Sequence, residues 1–407
     1  MEPRSAICVI VDRLHAGMIG AYGNSWIRTP ELDRLASESF LFDQAVICSP
    51  RLEALYDGLW TGESGIAHAP DPQRSVPRQI SELGVETVLI TDDPVVAKHR
   101  LARGFTEIVV VEQPGVRGIA DTVEETQLAR IFAAASAWLS DVRSPSLLWL
   151  HVHGLSAAWD APFDYRAQYC TEEDPLPSDS VEVPSLLLGR DYDPDTLLDI
   201  VHRYAGQISA LDQCVGLLVD QLRAAPSASQ TLFSLLSARG FPLGEHGRVG
   251  AYDEALYAEL IQVPWMLRLP DGQGALTRSS ALTPSLDLAP TLRDWWQMEP
   301  AHQNRDGKSV LPLVRGEEVS SRQRIYFRAG EQERGLRTPA WYARWQVGTG
   351  KPLELYAKPS DRWEVNQVAA RCADVATVLF DELTQLEQSA QVESLPPAEE
   401  ILLTEMD

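Results

Sequence analysis

Short apolar runs alternate along this chain with longer segments of helical periodicity, and this alternation restricts the fold most strongly. A strand buried on both faces is a continuous apolar run, whereas a surface helix repeats its apolar residues every three to four positions. The pattern therefore predicts an α/β fold with a mixed, mostly parallel sheet between helices. Strands are predicted at 6–11, 85–91, 108–111, 147–151, 231–236 and 263–267, and helices at 30–40, 122–142 and 197–224.

The hydrophobic pattern of the sequence changes near residue 323, where short strand-like segments follow the long helical ones. Strands are predicted at 324–327, 341–347 and 353–356, followed by a helix at 367–389. We therefore divide the chain into an α/β domain at 1–320, a small C-terminal antiparallel β plus helix subdomain at 321–390, and an acidic tail at 391–407. Residues 401–403 of the tail are expected to dock, and the Pro-rich acidic stretch 171–184 is expected to be an exposed loop.

Charge and cysteine usage limit the partners and the compartment. The 407 residues carry 35 Lys and Arg against 58 Asp and Glu, a net charge of −23. Such a field repels phosphate backbones and anionic lipids, so we expect a small-molecule or protein partner rather than nucleic acid or membrane. The first apolar run is too short for a signal peptide, and the five cysteines are scattered. Both features favour reduced thiols in a cytoplasmic protein.

One stretch, 42–62, has the sequence FDQAVICSPRLEALYDGLWTG. It resembles the nucleophile segment of the sulfatase family, F-D-N-A-Y-x-x-S-P-x-C-x-P-S-R-x-x-L-L-T-G. The positions that match without a gap are Phe42, Asp43, Ala45, Ser49, Pro50, Thr61 and Gly62. In this register Leu52 stands where the family has the cysteine that is oxidised to formylglycine, and leucine can be neither a nucleophile nor a metal ligand.

The resemblance continues through most of the chain. Residues 9–45 are similar to the family's opening V-V-D-D-L-R-x-D-x-L-G-x-Y-G segment, and 204–222 are similar to its Y-x-x-x-I-x-x-L-D-x-x-V-G-x-L helix. Further similar segments lie at 257–270, 281–292 and 353–369. The resemblance implies an alkaline-phosphatase-like α/β fold with a small C-terminal subdomain.

The resemblance also implies a Ca²⁺ site, held by two consecutive Asp after the first strand and by the Asp and the His or Asn of an S-D-H-G turn. Here the first pair is Asp12 and Arg13, and the turn carries Ala238 and Arg239. Asp12 is therefore one retained ligand of four. Hard cations need several oxygen ligands, so no bound cofactor is expected.

The other active-site positions of the family are replaced as well. Its G-K-W-H segment corresponds to TDDP at 91–94, which includes Asp92. His151 is retained, Ser156 replaces a substrate-facing His, and His246 lies on a framework position. These losses predict a catalytically inactive homologue, a pseudosulfatase with a binding or scaffold role. Its ligand site is expected at the carboxyl ends of the strands.

Several residues allow two interpretations. Asp12 is either a residual metal ligand or, as we favour, a carboxylate paired with Arg13 or Arg239. Cys48 is either a shifted nucleophile or an ordinary buried thiol.

The remaining polar positions are expected to be structural. His246 is more consistent with a turn than with catalysis, and His151 has no evident acid partner in the sequence. Asp92 and the neighbouring Asp93 are expected in a solvated loop rather than in an acidic pair.

The alternative function is an active sulfuric or phosphoric ester hydrolase with rebuilt chemistry. It would use Ser49 or Cys48 together with Asp92 and His246, and it requires these side chains to converge in one pocket.

Overall fold

The computed structural model describes residues 4–66, 69–142, 145–298, 306–317, 322–389 and 395–404. The strands are β1 (Ser5–Val11), β2 (Phe40–Phe42), β3 (Ala45–Val46), β4 (Glu86–Thr91), β5 (Glu107–Val110), β6 (Ser146–Val152), β7 (Ser185–Leu187), β8 (Thr231–Ser237), β9 (Arg248–Gly250), β10 (Trp265–Arg268), β11 (Thr277–Ser279), β12 (Thr283–Pro284), β13 (Ile325–Ala329), β14 (Glu333–Arg337), β15 (Trp341–Gln346) and β16 (Glu354–Ala357). The helices are α1 (Pro30–Ser37), α2 (Leu52–Thr61), α3 (Val76–Glu82), α4 (Pro94–Ala97), α5 (Gln127–Asp141), α6 (Phe163–Ala167), α7 (Pro194–Ala224), α8 (Ala258–Ile261), α9 (Leu288–Trp295), α10 (Leu311–Val314) and α11 (Ala373–Ser389).

A central sheet of eight strands has the order β11-β2-β10-β8-β1-β6-β4-β5. The strands from β8 to β5 are parallel, whereas β10 is antiparallel to both β8 and β2. Every residue of β1, β6 and β8 is buried, because helices cover both faces of the sheet. The fold is therefore the predicted mixed, mostly parallel sheet between helices.

The long helix α7 organises one face of this sheet by packing against α1, α5 and α6. It begins at Pro194 after Asp193, whose side chain accepts a hydrogen bond from the backbone N–H of Asp195. Proline fits the first helical turn because that turn has no intrahelical partner for its N–H groups, and an aspartate cap satisfies one of them.

The chain forms two compact units. The first comprises 1–41, 77–251 and 263–278, and the second comprises 42–76, 252–262 and 279–407. Each unit has its own hydrophobic core. The second unit is thus assembled from three separate stretches of sequence rather than from the C-terminal residues alone.

The second unit contains a four-stranded antiparallel sheet of order β13-β14-β15-β16, covered by α11. Val375, Leu379, Leu383 and Leu386 recur at helical spacing on α11 and are fully buried. Leu402 of the tail joins this core, and the backbone carbonyl of Ile401 accepts a hydrogen bond from the Trp341 indole at 2.8 Å. The expected docking of 401–403 is confirmed, while 391–394 and 405–407 lie outside the described residues.

The structure departs from the predicted elements in several places, and two of these departures place strands where the sequence indicated none. The helix expected at 30–40 ends at Ser37, and Phe40–Phe42 forms β2, where Leu41 pairs with Met266 of β10. Strand β14, with the sequence ERGLR, was missed because its charged side chains hide the apolar alternation. Its charges are matched inside the unit: Glu333 pairs with Arg344, and Arg334 with Glu387.

No helix in the described part of the chain is both long enough and apolar enough to cross a membrane.

Candidate functional site

Asp12 lies directly after β1, at the carboxyl edge of the central parallel strands. Its backbone N–H donates to the carbonyl of Val152 at 2.9 Å, and its side chain is completely buried. Since the carboxyl ends of parallel strands meet at one edge of a sheet, residues that follow β6 and β8 approach it there. This edge carries most of the predicted site positions of the first unit.

Arg239 follows β8 and forms a bidentate ion pair with Asp12. Its Nε donates to Oδ1 at 2.8 Å and its Nη2 to Oδ2 at 2.6 Å. The hydroxyl of Ser156 also donates to Oδ2 at 2.6 Å. The predicted pairing of Asp12 with an arginine is confirmed, with Arg239 as the partner.

The ion pair decides the ionisation of Asp12. Burial alone would raise the pKa of this carboxyl, but the guanidinium of Arg239, assisted by Arg13 and His151, holds the pKa of Asp12 well below its usual range. Asp12 is therefore a carboxylate at neutral pH, and its charge is directed at a protein cation.

Arg13 is also buried beside this pair. Its φ of 65° places it in the left-handed region, which is uncommon for a residue with a Cβ. Its Nη1 donates to the carbonyl of Gly240 at 3.3 Å. The Tyr204 hydroxyl fixes this turn by donating to the carbonyl of Arg13 at 2.6 Å and accepting from the N–H of His15 at 3.0 Å.

A hydroxyl sets the position of the loop that carries Ala238 and Arg239. Ser237 Oγ accepts from the N–H of Leu14 at 3.1 Å and lies within hydrogen-bond distance of the carbonyls of Val11 and Arg239. The N–H of Ala238 donates to the carbonyl of Val11 at 2.9 Å. The two loops are thus held together at the backbone, which brings Arg239 to Asp12.

Asp92 and Asp93 follow β4, and the structure corrects the expectation of a solvated loop. Asp92 accepts from the backbone N–H of His153 at 2.7 Å and from Gln113 at 3.1 Å, and burial raises its pKa. Asp93 is buried, and its Oδ1 caps α4 by accepting from the N–H of Val95 at 2.7 Å. Both carboxylates are therefore structural acceptors at this edge.

His151 was expected to lack an acid partner, and this expectation was wrong. Its Nε2 lies 3.6 Å from Oδ2 of Asp93, and its side chain is completely buried. Burial would raise the pKa of Asp93, but the electrostatic interaction with His151 lowers it. The pairing follows from register, because Thr91 of β4 lies beside His151 of β6 and Asp93 comes two residues later.

A second histidine–acid pair, His15 with Glu245, was not identified from the sequence. His15 Nε2 lies 3.3 Å from Oε1 of Glu245, while His15 Nδ1 accepts from the N–H of Gly17 at 2.8 Å. Adjacent His246 is exposed and has a φ of 51°. Its position is that of a tight turn, which connects the end of the Arg239 loop to β9.

The residues present do not fit the Ca²⁺ that the family resemblance implies. Both oxygens of Asp12 are bound by Arg239, and a guanidinium has no lone pair to offer a metal. Within the described ranges, no group of three or more His, Cys, Asp or Glu side chains is arranged to hold a metal ion.

The segment 42–62, which resembles the nucleophile segment of the family, belongs to the second unit. Leu52 is the first residue of α2, and Arg51 precedes it as the N-cap without a side-chain cap. Ser49 is buried and its hydroxyl accepts from the N–H of Arg51 at 3.4 Å.

Cys48 is also buried and lines a small cavity of about 60 Å³ together with Asp306 and Arg322. Burial, with the negative charge of Asp306, raises the pKa of Cys48 to about 12. The thiol is therefore protonated at neutral pH.

Comparison with known proteins agrees with this architecture. A family model described as Sulfatase matches residues 4–298. The chain is 27% identical over 355 residues to N-sulphoglucosamine sulphohydrolase of Homo sapiens, a match that covers 78% of this chain and 67% of that protein. A shorter match, 30% identical over 115 residues, covers 28% of this chain and 20% of N-acetylglucosamine-6-O-sulfatase of Bacteroides thetaiotaomicron.

Two solved structures share the fold. The phosphonate monoester hydrolase of Agrobacterium radiobacter superposes with a TM-score of 0.77 at 17% identity, covering 95% of each chain. A protein solved in complex with its substrate D-glucosamine-2-N,6-O-disulfate superposes with a TM-score of 0.78 at 18% identity, covering 98% of this chain and all 100% of that one. Because the family model spans most of the sequence, this chain belongs to the sulfatase family.

Proposed function

We propose that this sulfatase-family chain binds a ligand at the carboxyl edge of its sheet and does not hydrolyse sulfate esters by the metal-dependent chemistry of the family. The observation that carries the proposal is the bidentate pair of Arg239 with Asp12. The guanidinium of Arg239 contacts both oxygens of Asp12, which is the one carboxylate that this chain retains of the metal ligands implied by the family resemblance. Sulfate ester hydrolysis needs a divalent cation at that place to neutralise the sulfate oxygens.

The nucleophile position supports the same proposal. Leu52 has no lone pair and cannot attack a sulfur or phosphorus centre, whatever the state of the metal site. Covalent catalysis needs an activated oxygen, sulfur or nitrogen nucleophile. Changes at both the nucleophile and the metal ligands remove both parts of the family chemistry.

The proposed ligand is a small molecule or a segment of a protein partner, and neither nucleic acid nor an anionic membrane suits the net charge of −23. All five cysteines are free, which supports our proposal of a reducing, cytoplasmic compartment.

Hydrolysis is tested with purified protein, an aryl sulfate and an aryl phosphate ester, each with and without Ca²⁺ or Mn²⁺. We expect no turnover above the protein-free blank in either the wild type or Asp12→Ala. Turnover by the wild type that Asp12→Ala abolishes would overturn the proposal.

Metal binding is tested separately by calorimetry with Ca²⁺. The wild type is expected to release no binding heat. The triple variant Arg13→Asp, Ala238→Asp and Arg239→Asn restores the oxygen ligands that the family resemblance places there, so it is expected to bind Ca²⁺. Ca²⁺ binding by the wild type that Asp12→Ala removes would contradict the proposal.

The alternative, a hydrolase rebuilt around Ser49 or Cys48, Asp92 and His246, has less support. The Cys48 thiol is protonated and buried, Asp92 is engaged as a structural acceptor, and His246 lies in an exposed turn. Ester hydrolysis that persisted in Asp12→Ala but disappeared in Ser49→Ala or Cys48→Ala would establish this alternative instead.

A further inference from the structure

A cysteine and a histidine of the first unit, Cys170 and His202, lie side by side outside the site described above. The Sγ atom of Cys170 is 3.4 Å from Nδ1 of His202, within hydrogen-bond distance for sulfur. Cys170 follows α6 and is partly exposed, whereas His202 is on α7 and has an exposed fraction of 1%. A thiol that solvent reaches, next to a buried base, is an arrangement that activates cysteine as a nucleophile.

Close packing of α6 on α7 brings the two side chains together. Gly206 of α7 lets Arg166 of α6 approach, since a Cβ on Gly206 would lie 2.8 Å from Arg166 Cγ. Arg166 precedes Cys170 by four residues, and Gly206 follows His202 by four residues. The contact between the helices therefore also determines the distance between the thiol and the imidazole.

The imidazole ring of His202 is held in place by an aromatic neighbour. Trp26 stacks on this ring with centroids 6.0 Å apart and an interplanar angle of 25°. Trp26 also contacts Tyr169, with centroids 4.9 Å apart. A base whose orientation is fixed by a third group is the second requirement for an activated nucleophile.

Both members of the pair are uncharged at neutral pH. Burial lowers the pKa of His202, although the charges of Asp174 and Asp199 oppose this change. Burial, together with the charges of Asp174 and Asp199, raises the pKa of Cys170. The neutral imidazole offers a lone pair at Nδ1, so it can accept the thiol proton while the sulfur reacts.

The other four cysteines lack one or both of these features. Cys8, Cys48 and Cys214 are buried, and burial raises the pKa of each thiol. Cys372 is partly exposed, but its side chain has no hydrogen-bond partner within the described ranges. Cys170 therefore combines access with a base, and Cys372 is its natural comparison.

We propose that Cys170 is a site of reversible S-thiolation, where the chain forms a mixed disulfide with a small uncharged disulfide and His202 accepts the thiol proton. The carboxylates of Asp174 and Asp199 disfavour an anionic reagent. The site is separate from the carboxyl edge of the sheet and does not depend on the function proposed there.

The exchange step is balanced by the two disulfide sulfurs of the reagent. Sγ of Cys170 attacks one sulfur, the S–S bond of the reagent breaks, and a new Sγ–S bond forms. The thiol proton passes to Nδ1 of His202 and then to the departing thiolate, which leaves as a thiol. Cys170 is oxidised, and the reagent supplies the oxidising equivalents. A small thiol reverses the step by the same route.

The test is incubation of the full chain with 2-hydroxyethyl disulfide, followed by acid quenching and mass spectrometry of the intact chain and its peptides. The adduct on Cys170 should form at least about tenfold faster than the adduct on Cys372. Cys170→Ser should abolish the fast adduct, and the matched control Cys372→Ser should leave it unchanged. His202→Asn should slow modification of Cys170 by about tenfold or more.

The pH profile separates a base from a residue that only packs beside the thiol. Between pH 7 and pH 8 the wild-type rate at Cys170 should change little, because His202 is neutral throughout. In His202→Asn the rate should follow the thiolate fraction and rise about tenfold over the same interval. This profile in the wild type is informative even if His202→Asn does not fold.

Three results would overturn the proposal: equal rates at Cys170 and Cys372, a fast adduct that persists in Cys170→Ser, or a wild-type rate that rises about tenfold from pH 7 to pH 8. Asp12→Ala should react as the wild type does, so failure here and failure of the proposed function are distinguishable.

Discussion

Burying Asp12 without a counter-charge would cost several kcal/mol, and Arg239 supplies that charge with ideal two-point geometry. The pair connects residues 227 positions apart in the sequence, and it joins the loops that follow two neighbouring strands. Its contribution to stability is therefore measured by breaking it rather than by counting its hydrogen bonds.

Arg239→Ala leaves a completely buried carboxylate without its main partner, and we expect the free energy of unfolding to fall by about 3–5 kcal/mol. Urea denaturation measures this change. Arg34→Ala is the matched control, since it removes the ion pairs of Arg34 with Glu31 and Asp220. The Arg34 side chain is 39% exposed, so the effect should be below about 1 kcal/mol. Equal effects of the two variants would contradict the role we give to burial.

The raised pKa of Asp212 predicts how the stability of the protein depends on pH. Its pKa is raised to about 6, so between about pH 4 and pH 6 the folded state binds more protons than the unfolded chain. The stability contribution of this group therefore falls as pH rises through that window and is constant above and below it. In Asp212→Asn, which retains a capping oxygen, this dependence should disappear.

The measurement is the difference in unfolding free energy between wild type and Asp212→Asn. From pH 4 to pH 7 this difference should shift against the wild type by about 1–3 kcal/mol. A difference that stayed constant with pH would mean that burial does not perturb Asp212.

At the scale of elements, two glycines in the middle of α7 have different neighbours. A Cβ on Gly206 would lie 2.8 Å from Arg166 Cγ and 3.0 Å from its backbone N, whereas one on Gly216 would meet the Glu31 side chain. The backbone of α6 at Arg166 cannot move aside as easily as the flexible side chain of Glu31. Close packing of α6 on α7 therefore depends on Gly206 more than on Gly216.

We expect Gly206→Ala to lower the unfolding free energy by about 1–2 kcal/mol, since overpacking exceeds the gain in helix propensity. Gly216→Ala should be neutral or stabilising by up to about 1 kcal/mol, because Glu31 can turn towards solvent. Urea denaturation of the two variants compares the same substitution in the same helix. The reverse order of stabilities would show that the α6 contact is adaptable.

The strands also show which elements a local sequence pattern can predict. β1, β6 and β8 were predicted because a strand buried on both faces has to be apolar throughout. β14 could not be predicted, because Arg334 and Arg337 are buried in a sheet only when Glu387 and Gln44 are there to receive them. Those partners are far away in sequence, so no local pattern indicates them.

At the scale of the whole molecule, the second unit depends on segments from both halves of the chain. Tyr342 donates to the carbonyl of Leu256, and the backbone N–H of Ala258 donates to Glu364 at 3.0 Å. The N–H of Arg328 donates to the carbonyl of Cys48 at 3.0 Å. Segments 42–76 and 252–262 thus fold together with the C-terminal sheet.

Cutting the chain after residue 320 should therefore leave these two segments without β13–β16. We expect the 1–320 fragment to keep the first unit but to lose the packing of these two segments and to expose their apolar surface, which near-ultraviolet circular dichroism and urea denaturation would detect. A chain ending at residue 404 is the control and should behave as the full protein does. A 1–320 fragment with cooperative, full-length-like unfolding would instead support a boundary at residue 320.

The sequence by itself determined the fold class and the family, because apolar runs, turn residues and family segments are local features. It showed that Leu52 cannot be a nucleophile and that Asp12 needs a positive partner. It left open whether that partner is Arg13 or Arg239, and it missed the pairing of His151 with Asp93. Only the tertiary structure decided both, since the register of β1 with β8 and of β4 with β6 determines which side chains meet. Arg239 makes the bidentate pair with Asp12, whereas Arg13, which has a left-handed backbone, donates to the carbonyl of Gly240.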